Sequence, residues 1–210
     1  MINKNYRFIS FEGIEGSGKS TQAKKLYDFL ISKNIPTILT REPGGTDTCE
    51  KIREILIDEK IEKLDPKTEL LLNFASRIEH SEKLIKPSIF ENKIVICDRF
   101  FDSTFAYQGF GFGIDQNIIE KIKNIAIANL QPDITFLIDI EVDHAFNRIK
   151  QRSNNNRYEK LNKNFHIKVR NGFLELAKKN SRIRIIDGNK NSDLVFQDII
   201  NQLQNYEKKK

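Results

Sequence analysis

Gly13-Ile14-Glu15-Gly16-Ser17-Gly18-Lys19-Ser20 is a complete G-x-x-x-x-G-K-[ST] loop, and it comes directly after an apolar run at residues 6–11. Glycines at both ends of the loop let the backbone curl, so that successive N–H groups point inward at an anion. Residues 21–31 show helical apolar spacing, so a helix N-terminus adds partial positive charge to the site. The order of strand, loop and helix predicts a nucleoside triphosphate site, in which Lys19 reaches the β- and γ-phosphates and Ser20 ligates Mg²⁺.

Length and composition predict a globular chain with one domain, residues 1–210. Its 210 residues are 39% hydrophobic and 30% charged, and no apolar run approaches the ~20 residues that a membrane helix needs. The first strand begins within six residues, which leaves no room for a signal peptide, so we expect a cytoplasmic location and no membrane partner. The net charge of +6 suits a protein that handles phosphates. Because the basic residues are dispersed and no aromatic stacking platform accompanies them, we expect no nucleic-acid partner.

Apolar strand-like runs alternate with helical patterns along the whole chain. The predicted strands are residues 6–11, 35–40, 93–97, 133–138 and 183–186. The predicted helices are residues 21–31, 47–59, 66–90 with a bend near Pro87, 115–129, 142–152, 161–178 and 193–206. Continuous apolar strands in such an alternation are typical of a parallel sheet covered by helices on both faces. The sequence therefore predicts an α/β fold.

Charged residues follow each of the first four predicted strands, where ligands bind in parallel sheets. The loop Arg41-Glu42-Pro43-Gly44-Gly45-Thr46 follows the second strand, and Asp98-Arg99-Phe100 follows the third. In a P-loop protein, a carboxylate at the position of Asp98 commonly helps to hold Mg²⁺; the alternative is a cap for the next helix. The Arg99 guanidinium matches phosphate oxygens, with a surface ion pair to Glu42 or Asp98 as the alternative.

Two further groups of side chains are candidates for ligand contact. Phe74 and Arg77 lie three residues apart on one helix face, where a ring could stack on a base beside an arginine that holds its phosphate. The alternative for Phe74 is a place in the core. Arg148, Arg152 and Arg157 surround the polar break at residues 153–156, either as arginines of a closing lid or as a solvated basic face.

Three stretches, in their order and spacing, closely resemble thymidylate kinase. They are Phe11-Glu12-Gly13-Ile14-Glu15-Gly16-Ser17-Gly18-Lys19-Ser20-Thr21, then the loop at residues 41–46, then Asp98-Arg99-Phe100 through Ser103-Thr104-Phe105-Ala106-Tyr107-Gln108-Gly109. The resemblance runs over residues 8–187. It implies a P-loop nucleoside-monophosphate-kinase fold with a five-stranded parallel sheet and a short lid at about residues 148–160. It also implies the reaction ATP + dTMP → ADP + dTDP with Mg²⁺, and a homodimer.

The resemblance implies a role for each matching position. The ATP-binding residues would be Gly13, Ile14, Glu15, Gly16, Ser17, Gly18, Lys19, Ser20 and Thr21. The acceptor-binding residues would be Glu42, Pro43, Phe74, Arg77, Arg99, Thr104, Tyr107 and Gln108. The catalytic residues would be Lys19, Arg99, Arg157, Glu15 and Arg152, and the metal ligands Ser20 and Asp98.

The family also suggests individual contacts. Phe74 would stack on thymine, Arg77 would contact the base and Arg99 the acceptor phosphate. Tyr107 would lie close enough to the 2′ position to disfavour a ribose hydroxyl, and Pro43 would shape the acceptor loop, through a cis bond. This P-loop holds no arginine, so the arrangement with catalytic arginines in the lid fits; the usual Asp-Arg of that lid is here residues 156–157 with asparagine first.

Other functions fit parts of the pattern. A kinase of unphosphorylated deoxynucleosides would not need Arg99 as a phosphate clamp. A switch NTPase would hydrolyse slowly, unstimulated by any monophosphate, and the Asn189–Asp193 stretch has the wrong spacing for a guanine-reading N-K-x-D motif.

Overall fold

A computed structural model describes residues 6–58, 60–61, 64–150 and 157–205. In these ranges the sheet has five strands, all parallel, in the order β2-β3-β1-β4-β5. They are β1 (Phe8–Glu12), β2 (Thr37–Arg41), β3 (Ile94–Asp98), β4 (Ile134–Asp139) and β5 (Ile183–Asp187). The predicted α/β class and five-stranded parallel sheet are confirmed.

The described helices surround this sheet. They are α1 (Lys19–Ser32), α2 (Asp47–Ile57), α3 (Pro66–His80), α4 (Lys86–Phe90), α5 (Phe101–Thr104), α6 (Gln116–Ile127), α7 (Val142–Lys150), α8 (Lys163–Lys179) and α9 (Ser192–Asn205). A short 3₁₀ turn covers Arg157–Lys160. No helix in the described ranges has both the length and the apolarity to cross a membrane. The last two residues of the predicted helix 142–152 lie outside the described residues.

The bend predicted near Pro87 is a widened turn of the helix rather than a break. A π-helical segment, Ser81–Ile85, joins α3 to α4 immediately before the proline. Proline has no N–H to donate, and its ring crowds the carbonyl four residues back, at Lys83. The wider turn accommodates both effects, so the helical path continues from residue 66 to residue 90.

Residues 101–111 are helical, although the sequence predicts no helix there. After α5, a π-helical segment runs over Phe105–Gly111. Glycine and β-branched residues disfavour helix formation locally, so packing against α8 must supply the stability. The packing is close: a Cβ on Gly172 of α8 would lie 2.7 Å from the Phe110 side chain.

Alternate residues of the central strands fill two core layers. One layer joins Ile9 and Phe11 of β1 to α1 and α9, through Leu26 and Ile199 among others. The other layer joins Phe8 and neighbouring strand residues to α3 and α6. Both layers fix β1 in the middle of the sheet. The chain order reverses on either side of β1, which is where ligands bind in such sheets.

Candidate active site

A cleft of about 250 Å³ opens at the carboxyl ends of β1, β2 and β3. Its lining includes Pro43, but most of it is polar or charged: Glu15, Lys19, Ser20, Arg41, Glu42, Arg53, Arg77, Asp98, Arg99, Thr104, Tyr107 and Gln108. Five of these side chains are cationic, a density of positive charge that suits a phosphorylated ligand. The structure thus gathers in one cleft most of the residues predicted for the two substrates.

The loop between β1 and α1 has the curled backbone that its sequence predicts. Gly16 has φ of +75°, a conformation open to glycine at little cost. A Cβ there would also lie 2.5 Å from the Ala145 carbonyl oxygen. Because α1 begins at Lys19, the amides of Lys19 to Thr21 have no acceptor one turn back within the helix. These amides point toward the space where an anion would bind.

Lys19 reaches into the cleft from the start of α1. It is buried, and its Nζ donates to the Ile14 carbonyl at 3.4 Å. Burial, with Arg99 nearby, lowers the pKa of Lys19 to about 8. An anion bound beside the ammonium would favour its charged form.

Asp98 and Ser20 both line the cleft. The Asp98 Oδ1 atom is buried without a hydrogen-bond partner, and Ser20 is exposed to the cleft. A buried carboxylate oxygen without a donor is costly unless a cation or a ligand completes it. Hard oxygen donors of this kind are those that Mg²⁺ takes.

Arg99 adopts a strained backbone conformation directly after β3. Its φ is +73°, in a region that costs a non-glycine residue about 1 kcal/mol or more. Its side chain bridges two parts of the site: Nη1 donates to the Gly13 carbonyl at 3.0 Å and to Ser103 Oγ at 2.9 Å. The Nη2 atom donates to Glu15 Oε1 at 3.0 Å. The guanidinium therefore lies against the loop at residues 13–20.

Glu15 joins the P-loop to Tyr107. The Tyr107 hydroxyl donates to Glu15 Oε2, while Arg99 pairs with the other oxygen. Burial acts to raise the pKa of Glu15, but Arg99 and Lys19 outweigh it, and the pKa lies below its ordinary value. Burial also raises the pKa of Tyr107 well above its ordinary value. Glu15 is therefore a carboxylate and Tyr107 a neutral phenol at neutral pH.

A second buried cluster forms the wall of the cleft opposite the P-loop. Arg77 Nε donates to Glu42 Oε2 at 2.6 Å, and Arg77 Nη1 donates to Thr104 Oγ1 at 3.0 Å. His80 Nδ1 lies 2.9 Å from the other Glu42 oxygen. The peptide bond between Glu42 and Pro43 is cis, as the sequence analysis expected. Glu42, Pro43, Arg77 and Thr104 are thus brought together.

Phe74 lies in the core beside this cluster. Its residue surface is only 2% exposed, and the Arg77 guanidinium carbon lies 4.8 Å from its ring centre. The core placement was the alternative left open in the sequence analysis. Stacking of a base on this ring stays a prediction.

Of the predicted lid arginines, Arg148 and Arg157 lie at different places. Arg148 donates to the Gly16 and Ser17 carbonyls, and to Gly188 at 3.0 Å. Arg157 instead donates to Leu56 O at 3.1 Å and pairs with the buried Glu69. Glu69 also accepts from Gln108, at 2.6 Å. Arg152 lies outside the described residues.

Arg157 is therefore held by Leu56 and Glu69 and does not line the cleft. The reason is the buried carboxylate of Glu69, which a sequence pattern cannot place opposite residue 157. Asp139, which also ends a strand, does not line the cleft, because Arg170 binds both of its oxygens at 2.7 and 2.9 Å. A strand-end charge is thus not by itself a site residue.

Sequence reasoning missed Arg53. This arginine of α2 lines the cleft, and its Nη1 donates to the Pro43 carbonyl at 2.9 Å. Burial, and then Arg41, lower its pKa. The only signal in the sequence is a cation on a helix that follows the 41–46 loop, and many surface helices carry the same signal.

Comparison with known proteins agrees with this geometry. The family model described as thymidylate kinase matches residues 11–199. A thymidylate kinase of Wolbachia pipientis wMel is 46% identical over 201 residues, covering 93% of this chain and 99% of the relative. One of Trichodesmium erythraeum is 43% identical and covers 92% of each chain. A crystal structure of thymidylate kinase from Ehrlichia chaffeensis is 41% identical, with a TM-score of 0.78 over 95% of this chain and 98% of that chain.

Proposed function

The chain belongs to the thymidylate kinase family and is therefore a nucleoside monophosphate kinase, and we propose that its cleft transfers the γ-phosphate of ATP to dTMP, giving ADP and dTDP. The observation that carries this proposal is the contact of Arg99 with the P-loop. Its Nη1 lies 3.0 Å from the Gly13 carbonyl. An arginine directly after β3, the strand next to β1, thus faces the loop that would bind the donor.

The donor half of the site would be residues 13–21. The unpaired amides at the start of α1 and the Lys19 ammonium would bind the ATP phosphates. Arg148 lies against two carbonyls of the same loop and one beyond β5, so it would hold the donor side of the cleft in shape. The proposal also includes a single domain of residues 1–210, with a lid at about residues 148–160.

The side chains of the donor half suit Mg²⁺ as the cofactor. Ser20 and Asp98 would hold it, a role supported by the unpartnered Asp98 oxygen. Within the described ranges, no three or more His, Cys, Asp or Glu side chains converge as a separate metal site, so phosphate oxygens and water would complete the ligand set. When bound, the ion would neutralise phosphate charge.

The acceptor half would be the wall opposite the P-loop. Arg99 would bind the phosphate of dTMP, and Arg77 the base, held from behind by Glu42. Tyr107, fixed by its bond to Glu15, would crowd the 2′ position. Thr104 and Gln108 would line the same pocket, and the Phe74 ring would stack on the base.

The chemistry would be a direct in-line displacement. An oxygen of the acceptor phosphate forms a bond to the γ-phosphorus, while the bond from that phosphorus to the β,γ-bridging oxygen breaks and ADP leaves. The acceptor oxygen is already anionic at neutral pH, so no strong general base is needed. Lys19 and Arg99 would supply alignment and charge neutralisation, with lid arginines 152 and 157 as further catalytic residues.

An ADP-release assay tests the proposal. Purified protein with Mg²⁺ and ATP is given dTMP, dUMP, UMP, dCMP, dGMP or thymidine. We expect strong turnover with dTMP and little with the others. Equal turnover with several monophosphates would contradict the acceptor pocket, and slow ATP hydrolysis indifferent to every acceptor would contradict the kinase itself.

A homodimer is the assembly we propose. Apolar side chains stand exposed, seven residues apart, on two neighbouring helices: Leu71 and Ile78 on α3, Ile118 and Ile125 on α6. An apolar face of this kind on two adjacent helices is characteristic of an interface. A cytoplasmic location is supported by Cys49 and Cys97, which are both buried and unpaired, as is usual in a reducing compartment.

A further inference from the structure

Glu12, the last residue of β1, is a buried carboxyl group for which the proposed reaction has no use, and burial, with Asp102 nearby, raises its pKa to about 8. It is 0% exposed and does not line the cleft. A buried carboxylate is costly unless it is hydrogen-bonded. Its two partners therefore indicate what it does for the site.

Both partners of Glu12 belong to the turn that carries Arg99. Glu12 Oε1 accepts from the Phe100 backbone N–H at 2.7 Å. Glu12 Oε2 accepts from Ser103 Oγ at 2.5 Å. Ser103 Oγ in turn accepts from Arg99 Nη1 at 2.9 Å. Glu12 thus holds the peptide after Arg99 and, through Ser103, the Arg99 guanidinium.

The turn needs such anchoring because Arg99 has φ of +73°. A non-glycine residue stays in that region only where its surroundings fix it. Three bonds do so here: Arg99 N–H to Phe11 O at 2.9 Å, Cys97 Sγ to Arg99 O at 2.9 Å, and Phe100 N–H to Glu12. Of the three, only the bond to Glu12 also connects to the guanidinium.

We propose that Glu12 is a positioning residue, which sets the backbone and guanidinium of Arg99 for the acceptor phosphate. The proposal rests on the acceptor role given to Arg99 above. Glu12 itself touches no substrate. Its effect should therefore appear only for ligands that carry the phosphate that Arg99 binds.

Comparison of dTMP with thymidine separates positioning from simple stabilisation. Dissociation constants for both ligands are measured by calorimetry on the wild type, Glu12→Ala, Glu12→Gln and Arg99→Ala. We expect Glu12→Ala to raise the dissociation constant for dTMP about tenfold or more, and the dissociation constant for thymidine less than about threefold. Glu12→Gln should recover most of the dTMP affinity, because its amide can accept from Phe100 N–H and donate to Ser103 Oγ.

An equal loss for both ligands in Glu12→Ala would make Glu12 merely structural and overturn the proposal, as would unchanged binding of dTMP. If thermal unfolding shows that Glu12→Ala does not fold, Ser103→Ala takes its place. That variant removes the hydrogen bond from the Arg99 guanidinium to Ser103, so the dissociation constant for dTMP should rise about threefold or more while that for thymidine stays unchanged. Equal changes in the two constants would again overturn the proposal.

The Arg99→Ala variant distinguishes the two levels of the argument. If it keeps the preference for dTMP over thymidine, the acceptor role of Arg99 fails and the positioning role falls with it. If it loses that preference while Glu12→Ala and Ser103→Ala keep it, only the positioning role fails.

Discussion

Arg77 donates from Nε to Glu42 Oε2 at 2.6 Å, and the two side chains are only 2% and 3% exposed. The pair joins helix α3 to the loop that follows β2. Because both charges are buried, each depends on the other for its solvation. The arginine assigned to the base is thus oriented before any acceptor arrives, which reduces the ordering required on binding.

Glu42→Ala should both destabilise the fold and weaken binding of the acceptor. Removing one partner of a buried ion pair leaves an uncompensated charge, so we expect the free energy of unfolding to fall by about 3 kcal/mol. The KM for dTMP should rise while the KM for ATP stays near its original value. Urea unfolding and steady-state kinetics measure the two effects.

The matched control for Glu42→Ala is Asp28→Ala. Asp28 pairs with Lys24 on the surface of α1, where both side chains are more than half exposed. Its removal should change the free energy of unfolding by less than about 0.5 kcal/mol. Equal losses in the two variants would contradict the special position of Glu42.

Lys19→Met should remove activity without weakening the fold. We expect turnover to fall by about a thousandfold, since a charge aimed at the transferring phosphate is lost. The folded-state pKa of Lys19, about 8, lies below its ordinary value of 10.5. The charged form is thus disfavoured in the fold, and this cost is fully present below pH 8. At pH 7 the variant should therefore be at least as stable as the wild type in urea; near-normal turnover would contradict the mechanism.

ATP binding should weaken as the pH rises above 8. The free protein loses the Lys19 proton near that pH, and bound phosphates favour the charged ammonium, so binding at pH 9 takes up a proton. Affinity should be flat between pH 6.5 and 7.5 on this account and fall by up to about tenfold per unit above 8. Calorimetry at pH 9 in buffers of different ionisation enthalpy would detect the proton. Lys19→Met should show neither effect. If ATP affinity in that variant still fell with pH as in the wild type, the proton would belong to another group.

Asp98→Asn should raise the Mg²⁺ concentration needed for half-maximal rate by about tenfold or more. The reason is that Asp98 carries a buried carboxylate oxygen with no hydrogen-bond partner among the described residues. Asp139→Asn is the control, because Asp139 ends β4, on the other side of β1 from β3, but is bound by Arg170. Its Mg²⁺ requirement should match the wild type. An equal rise in the Mg²⁺ requirement of both variants would contradict the assignment of Asp98 as a metal ligand.

Leu71→Glu combined with Ile125→Glu should yield monomers in sedimentation equilibrium, because charges would enter an apolar interface. Leu71 is 57% and Ile125 85% exposed, so neither change disturbs the core. Leu194→Glu on α9, also about half exposed, is the control and should leave the association state unchanged. A wild-type monomer would contradict the proposed assembly.

The sequence predicts most of the architecture because local signals carry it. The P-loop glycines and the apolar runs of β1, β3 and β4 depend on backbone conformation and burial, which residue type reveals. The sequence also identifies strand ends, and it therefore finds Asp98 and Arg99 in the cleft. The helix over residues 101–111 was missed, since its stability comes from packing against α8 rather than from its own residues.

The remaining parts of the site depend on contacts between distant segments. Arg157 pairs with Glu69 across 88 positions of the chain, and no spacing rule predicts that pair. Glu12 lies inside a quoted motif, yet its role is visible only where Phe100 and Ser103 meet it. Arg53 was hidden for the same reason, since its partner is a backbone carbonyl.

Phe11 of β1 and Asp98 of β3 are paired across neighbouring parallel strands, so the loops that follow them start side by side. The spacing between the starts of the two loops is thus set by the backbone ladder between neighbouring strands, at about 4.8 Å. Damage to α9, which contributes no residue to the cleft lining, would act on this protein as a change of population: fewer molecules would be folded, and each folded one would keep its cleft. Specific activity per folded molecule is therefore the quantity that separates site variants from stability variants.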